Sequence, residues 1–433
     1  MRFFGLLLIF LAFAVPIPWF LDLSLKYSFV AVFSQYLGAL ALISMGVGQV
    51  LAARLPGSEM IFGGLDRIYV LHKWLAVFAL VCLGLHDVID AEIEGLGRET
   101  SLMDIAEEVG EFAYYGLLLL VFVTITTLIP YHYWRWSHRF IGLFFCLGIF
   151  HFAFVQKPFD TLSPIGIYVL SFGAAGVLSY IYMIFLYVRF AVSARYKIAG
   201  ITHYNKASEI ILMPEGKGIR HSAGQFAFFG FDLPDLNEIH PFTISCRPTK
   251  ANELRICVKA LGGYTDDLLD AVKVGGLVRV YGAFGRFKMP VAKAQQIWIA
   301  SGIGITPFMA WARNLSTQNR GPIHLYYSVQ TELNAPYIDE LKSISQSNPN
   351  FELTLTTTQS KGRLSADEIV RDHKDQIRLA SVCFCGPTSM RDQMRAELSA
   401  HGMALSRFQY EVFEIRSGIG FIKAANWIIG RFR

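Results

Sequence analysis

The sequence predicts a membrane-embedded all-α bundle of six helices, then an antiparallel β-barrel, then an α/β domain on a parallel sheet. Three observations predict it. Apolar residues make up 53% of the chain and charged residues only 17%, and the excess gathers in residues 1–190. Histidines recur in pairs inside those apolar runs. Beyond residue 190 the pattern changes to short strands punctuated by glycine, and then to strands alternating with helices.

A helix needs about 20 apolar residues to span a bilayer. Six stretches qualify, at roughly 3–21, 29–51, 69–89, 111–129, 138–155 and 164–188. The first, apolar with two prolines and no small-x-small cleavage site, reads as a retained span. Arg54, Arg67 and Lys73 flank the second connection, Arg135 and Arg139 the fourth, and Arg189, Arg195 and Lys197 follow the sixth span. The third connection is acidic: Asp87, Asp90, Glu92, Glu94, Glu99, Asp104, Glu107 and Glu108. The positive-inside rule then places both termini in the cytoplasm and the acidic loop outside. None of the six cysteines forms a CxxC pair, so reduced thiols are expected. The net charge of +5, without a long basic run, argues against nucleic acid as a partner.

The stretch "LHKWLAVFALVCLGLH" carries His72 and His86, and "SHRFIGLFFCLGIFHF" carries His138 and His151. Ionisable side chains in a bilayer are costly and mark function by default. Each pair is separated by roughly 20 Å along its helix. The third and fifth spans run the same way, so His72 is expected opposite His138 and His86 opposite His151. Two such cross-helix pairs suit two bis-histidine haems stacked across the membrane. Fourteen residues at about 100° each put His72 and His86 on one face; thirteen miss by about 140°, so the fifth helix needs a bulge or bend. The plain alternative is interfacial histidines satisfied by headgroups, the reading we give His132. An alternative of another class is a haem-free six-helix transporter that uses the histidines for ion passage and carries a reductase-like regulatory domain.

These histidines resemble the ferric reductase/NADPH oxidase superfamily, whose six-helix core holds four haem-ligating histidines on its third and fifth helices at these spacings. The resemblance implies two b-type haems, on His72 with His138 and on His86 with His151. It places an aromatic between the haems at Phe144. Lys157 is open to pairing with a propionate or to snorkelling.

Later motifs resemble the same superfamily and imply a ferredoxin-reductase-like pair of domains. "HPFTIS" (240–245) resembles its FAD-binding strand, so His240, Pro241, Phe242, Thr243 and Ser245 are candidate flavin contacts, with the Thr243 hydroxyl near N5. "KALGGYTDDL" offers Lys259, Gly262, Gly263 and Thr265 at a helix start whose free N–H groups suit a pyrophosphate. "YGAFGRF" (281–287) resembles the turn that closes the barrel. "SGIGITPF" follows a buried strand and contributes Gly302, Gly304, Thr306 and Pro307 to a nicotinamide dinucleotide site. "CFCGPTSM" matches the Cys-Gly-Pro turn, placing Cys385, Gly386 and Pro387 by the hydride path. "FQYEVF" resembles the closing strand, with Phe413 stacked over the flavin. Gln330 stands where an Arg usually meets the 2′-phosphate of NADPH, and Lys361 and Arg363 are substitutes; of NADPH and NADH, we lean to NADH.

The expected domains are 1–190, the transmembrane di-haem bundle; 191–290, the FAD-binding barrel; 291–415, the NAD(P)-binding α/β domain; and 416–433, an amphipathic tail. In the tail, Phe421, Ala425, Ile428 and Phe432 recur at helical spacing, suiting either a short interfacial helix or packing on the soluble domain. The implied activity is electron transfer by a cell-membrane protein from cytoplasmic NAD(P)H, through FAD and two haems, to an acceptor outside. Dioxygen giving superoxide is the first choice; a ferric or cupric chelate or a periplasmic protein are the others. Thr243, Cys385 and Phe413 are the candidate catalytic residues.

Overall fold

The computed structural model describes residues 2–89, 93, 96, 100–126, 129, 131–234, 236, 238–291, 294–315 and 321–411. The chain divides into two compact units, the first over Met1–Phe190 and the second beginning at Ala191.

The first unit is helical: α1 (Phe3–Ala14), α2 (Ile17–Ser24), α3 (Phe29–Ala52), α4 (Ser58–Phe62), α5 (Leu65–Val88), α6 (Ser101–Thr126), α7 (Tyr131–His138), α8 (Phe140–Phe154), α9 (Pro164–Ile181) and α10 (Tyr187–Phe190). Pro16 lies between α1 and α2 and caps the latter, and Pro18 sits in the first turn of α2, where its missing N–H costs no helical bond. Among the described residues, five helical stretches are long and apolar enough to cross a membrane: Phe3–Ser24, Phe29–Ala52, Leu65–Val88, Tyr133–Phe154 and Pro164–Phe190. The remaining expected span falls in α6, a 26-residue helix whose N-terminal half is acidic and whose later turns are apolar.

Large apolar side chains point outward on this unit, among them Phe10, Phe33, Val81, Leu119 and Leu178. Such a surface suits lipid, where an outward Leu costs nothing. Inside, α3 packs on α5 and α9, and α6 on α8. Small residues permit the close crossing of α3 and α9: a Cβ on Gly176 would lie 2.9 Å from the Gly46 Cα.

The fifth span is interrupted between α7 and α8, at Arg139. The Arg139 N–H donates to the Trp136 carbonyl at 3.2 Å, and the Gly142 N–H to the Arg139 carbonyl at 3.3 Å. These are tight three-residue bonds, which turn the chain about 20° further per residue than an α-helix. An irregularity is therefore present beside His138, and at about 20° per tightened residue it supplies part of the 140° that the histidine spacing lacks. A π-helical turn also occurs, but in the sixth span, at Tyr182–Leu186.

The second unit opens with six antiparallel strands: β1 (Ser193–Tyr204), β2 (Ala207–Pro214), β3 (Phe226–Phe231), β4 (Ile239–Thr243), β5 (Leu254–Lys259) and β6 (Leu277–Phe284), in the order β4-β3-β6-β1-β2-β5. An Ile244–Ile256 bridge links the end of β4 to β5, so the sheet curls towards a barrel. Its filling alternates inward along each strand: Tyr196 and Ile198, Ile210 and Leu212, Phe229 and Phe231, Ile256 and Val258. Helix α11 (Tyr264–Ala271) lies between β5 and β6.

A parallel sheet follows, made of β7 (Gln296–Ser301), β8 (Ile323–Val329), β9 (Phe351–Thr357), β10 (Ser381–Cys385) and β11 (Phe408–Tyr410), in the order β11-β10-β7-β8-β9. Helices α12 (Thr306–Ala312), α13 (Ile338–Ser347), α14 (Thr358–Lys361), α15 (Ala366–His373) and α16 (Thr388–Ala400) connect them. β7 and β8 are buried along nearly their whole length, as strands covered on both faces must be. The strand order reverses between β7 and β10, which opens a crevice at their carboxyl ends.

Candidate functional site

In the helical unit the four histidines are brought together as two helix-borne sets. His72 and His86 lie on α5, His138 ends α7 and His151 lies on α8. The rings of His72 and His138 stand 6.3 Å apart, centroid to centroid, at 70°. His86 and His151 lie within electrostatic range of each other.

Three of the four rings meet their surroundings through Nδ1. For His72 the partner is the Gly48 carbonyl at 2.9 Å, for His86 the Ser34 carbonyl at 2.9 Å, and for His151 the Ala106 carbonyl at 2.9 Å. A carbonyl only accepts, so Nδ1 carries the proton in all three and Nε2 keeps its lone pair. The His138 Nδ1 is buried with no partner among the described residues. Glycines make room for these rings. A Cβ on Gly38 would sit 3.3 Å from the His86 Nε2, and one on Gly110 would run into the His151 ring. Phe144 fills the notch at Gly116 and packs against Phe112 at 5.6 Å. Lys157 turns back, its ammonium 3.4 Å from the Ala153 and Val155 carbonyls and over the Phe152 and Phe159 rings.

In the second unit the predicted contacts separate into two groups. Thr243 ends β4 with its hydroxyl oxygen buried and, among the described residues, unpartnered. Lys259 ends β5, and its ammonium lies 3.6 Å from where a Cβ on Gly302 would be. Gly302 (φ +55°) begins a 3₁₀ turn, Gly302–Ile305, that leads into α12 with Thr306 and Pro307 in its first turn. Gly304 lies against the backbone of Cys385, its Cβ position 3.1 Å from the Gly386 nitrogen. Pro387 caps α16. The two glycine-bearing turns thus meet across the β7–β10 reversal. Cys385 is fully buried, and burial, with the Glu411 carboxylate nearby, pushes its thiol well above the ordinary range. It remains a neutral thiol at physiological pH and forms a wall of the crevice; it is no nucleophile.

The other group is engaged differently from its expected role. Pro241 and Phe242 lie in β4, where Phe242 packs on Phe229 at 6.0 Å. His240 Nε2 pairs with Glu238 at 2.8 Å, and its ring stacks on Tyr264 at 3.6 Å. The Leu261 and Gly262 N–H groups donate to Thr265 Oγ1 (3.1 Å) and Asp266 Oδ1 (3.2 Å). The donors expected to face a pyrophosphate at Gly262 and Gly263 are therefore partly spent on capping α11, whose first turn also carries Asp266 and Asp267. Ser245 is fully buried, takes the Tyr337 hydroxyl at 3.1 Å and approaches Glu209 at 3.4 Å. It belongs to a clamp centred on Arg313, which holds Glu340 with two bonds (2.8 and 2.7 Å), Glu209 (2.9 Å) and the Ser245 carbonyl (3.1 Å). This clamp ties the barrel to the parallel sheet. No local pattern announces it, because its members are up to 131 residues apart, from Glu209 to Glu340. Phe413 and the tail 416–433 lie outside the described residues.

Sequence reasoning also missed the acceptors of the imidazole protons, since Gly48 and Ala106 act through their backbone. The one readable trace is arithmetic. Ser34 and Gly48 on α3 have the same fourteen-residue spacing as His72 and His86 on α5.

The sequence matches two families: "Ferric reductase like transmembrane component" over residues 37–149 and "Oxidoreductase NAD-binding domain" over 298–396. Three of the four histidines fall in the first match; His151 lies just past its end. Among curated relatives, the reductase component of propane 2-monooxygenase from Mycolicibacterium smegmatis is 24% identical over 204 residues, 44% of this chain and 58% of that protein. The electron transfer component of anthranilate 1,2-dioxygenase from Acinetobacter baylyi is 24% identical over 201 residues, 44% of this chain and 57% of that protein. The chain therefore spans less than two thirds of the length of these relatives. Among solved structures, the flavohem-like FAD/NAD binding domain of nitric oxide dioxygenase from Vibrio cholerae superposes with a TM-score of 0.46 at 20% identity, covering 51% of this chain and 98% of that one. A flavohemoglobin from Malassezia yamatoensis gives 0.49 at 18% identity, covering 89% and 96%.

The two family matches define a class: a membrane oxidoreductase that joins a ferric-reductase-like transmembrane component to an NAD-binding domain. That pairing is the one found in the ferric reductase/NADPH oxidase superfamily.

Proposed function

We propose that the chain passes electrons from cytoplasmic NAD(P)H to an acceptor on the outer membrane face, with dioxygen, reduced to superoxide, as the first acceptor. When bound, FAD would accept a hydride from the nicotinamide, and two b-type haems would carry electrons singly across the bilayer. His72 with His138, and His86 with His151, would hold the haem irons.

One observation carries the reading: three imidazoles have their Nδ1 protons committed to carbonyls, leaving Nε2 as the metal-binding atom. Dimensions support it. Two imidazoles that shared one metal through bonds of about 2.0 Å would have ring centres roughly 6 Å apart. The His72–His138 separation is 6.3 Å. The same commitment weighs against the transporter reading, because a proton relay needs imidazoles free to exchange both nitrogens.

In the second unit, the orphaned Thr243 hydroxyl supports a flavin contact on β4, since a buried oxygen without a partner is costly unless a ligand supplies one. The Gly302–Gly304 turn, with Lys259 beside it, supports a dinucleotide at the β7–β10 crevice. Exposed Gln330 directly follows β8, while exposed Lys361 and Arg363 come after β9; this supports NADH as the better donor. Cationic flanks on the even connections and carboxylates on the third support cytoplasmic termini.

The purified protein, reduced by NADH under argon, should show a b-type haem spectrum. Admitting air should restore the oxidised spectrum and drive superoxide-dismutase-sensitive cytochrome c reduction. Reduction of a ferric chelate seen by ferrozine, with no dismutase-sensitive signal, would make the metal chelate the acceptor. Absence of any haem band would return the transporter reading.

A further inference from the structure

The four imidazoles are not equally supported. His86 is held twice. Its Nδ1 lies 2.9 Å from the Ser34 carbonyl and 2.8 Å from the Ser34 hydroxyl oxygen. The hydroxyl spends its own proton on the His86 carbonyl, at 3.2 Å, so towards Nδ1 it acts as an acceptor. His151 adds one acceptor, the Ala106 carbonyl. The His86/His151 site therefore has three acceptors for two rings. Among the described residues the His72/His138 site has one, the Gly48 carbonyl, since the His138 Nδ1 is buried with no partner there.

The arrangement is built into the packing of α3 on α5. Ser34 meets His86 and Gly48 meets His72 in one antiparallel register, fourteen residues apart on both helices. Ser34 is 4% exposed, and one turn on, Gly38 lets the His86 ring seat flat against α3. An acceptor at Nδ1–H raises the electron-donating power of Nε2 and favours the more positive, oxidised iron.

We propose that Ser34 is a positioning residue that lowers the reduction potential of the His86/His151 haem below that of the His72/His138 haem. The proposal rests on the haem reading above. It makes the site nearer the acidic loop the stronger one-electron reductant, which suits a reluctant acceptor.

A spectroelectrochemical titration of the full-length protein tests it. The native protein should titrate in two haem transitions. Ser34→Ala should raise only the lower transition, cutting its oxidised-to-reduced ratio about fivefold at a fixed potential, the worth of one hydrogen bond. Ser34→Thr, which keeps the hydroxyl, should restore the native value. Ser34→Cys, close in size with a weaker acceptor, should move the same transition part way, and it serves if the alanine variant fails to assemble. Haem retained with both transitions unmoved in Ala and Cys, or a shift of the upper transition alone, would overturn the assignment. A native protein that binds no haem would instead remove the reading beneath it.

Discussion

Thr243, at the end of β4, and Cys385, at the end of β10, play different parts. Among the described residues the Thr243 hydroxyl is buried without a partner, a state that costs about 1–3 kcal/mol unless a ligand completes it. Thr243→Ala should keep FAD bound and slow NADH-to-dye electron transfer about tenfold, with Thr243→Ser near native, as stopped-flow flavin bleaching would measure. An unchanged bleaching rate in the alanine variant would remove Thr243 from the flavin site. Cys385 contributes shape: its thiol stays protonated, and its backbone abuts Gly304. Residue identity at both positions was legible because each stands in a short contiguous motif. The bonds of His240, Ser245 and Thr265 were not, because their partners Glu238, Glu209 with Tyr337, and the Leu261 N–H are chosen by folding.

At the scale of elements, close backbone approach decides what can be changed. A Cβ on Gly304 would press into the Cys385 carbonyl carbon at 2.7 Å, between two turns that rigid parallel strands hold in place. Gly304→Ala should cost about 1–3 kcal/mol of stability and raise the KM for NADH, checked by thermal unfolding and steady-state kinetics. The opposite end of the same sheet holds a polar cluster. His324 on β8 stacks on Tyr326 at 4.1 Å, bonds Thr354 at 2.7 Å and lies 5.2 Å from the His373 ring. Tyr326 in turn donates to Asp372 at 2.7 Å. Burial pushes His324 down to about 4, only partly offset by Asp372, and lowers His373 as well, with His324 adding to the effect. The unfolded chain then binds more protons than the folded one between pH 6.5 and about 4. The stability of this unit should be full above that window and fall as pH drops through it, and His324→Asn should flatten the decline in a pH series of melting curves. A slope identical in the variant would exclude His324 as its source. The alternation of strands with turns and helices followed from apolar runs and glycine punctuation, while the order of the strands within each sheet is set by folding. The fifth helix shows the converse: spacing demanded an irregularity, but only the fold located it at Arg139, where the tight bonds form.

For the whole molecule, the sequence's composition shift near residue 190 coincides with the division into two units. Family matches fall on both sides of it, which is why the class was readable from motifs. Helix α6 begins at Ser101, ten residues before the fourth expected stretch, so Asp104, Glu107 and Glu108, assigned to the acidic connection by sequence, lie on its first turns. The His–carbonyl pairings were invisible for a different reason: backbone oxygens have no signature in a sequence. The central claim is that the four histidines hold two irons at separate depths. It is tested most directly by haem content, measured as pyridine haemochrome per polypeptide in four single alanine variants at His72, His86, His138 and His151. The native protein should contain two haems, each variant should lose the one its histidine serves, and NADH-driven reduction of an outside acceptor should disappear in all four. Four variants that keep native haem content and native reduction across the membrane would contradict the account.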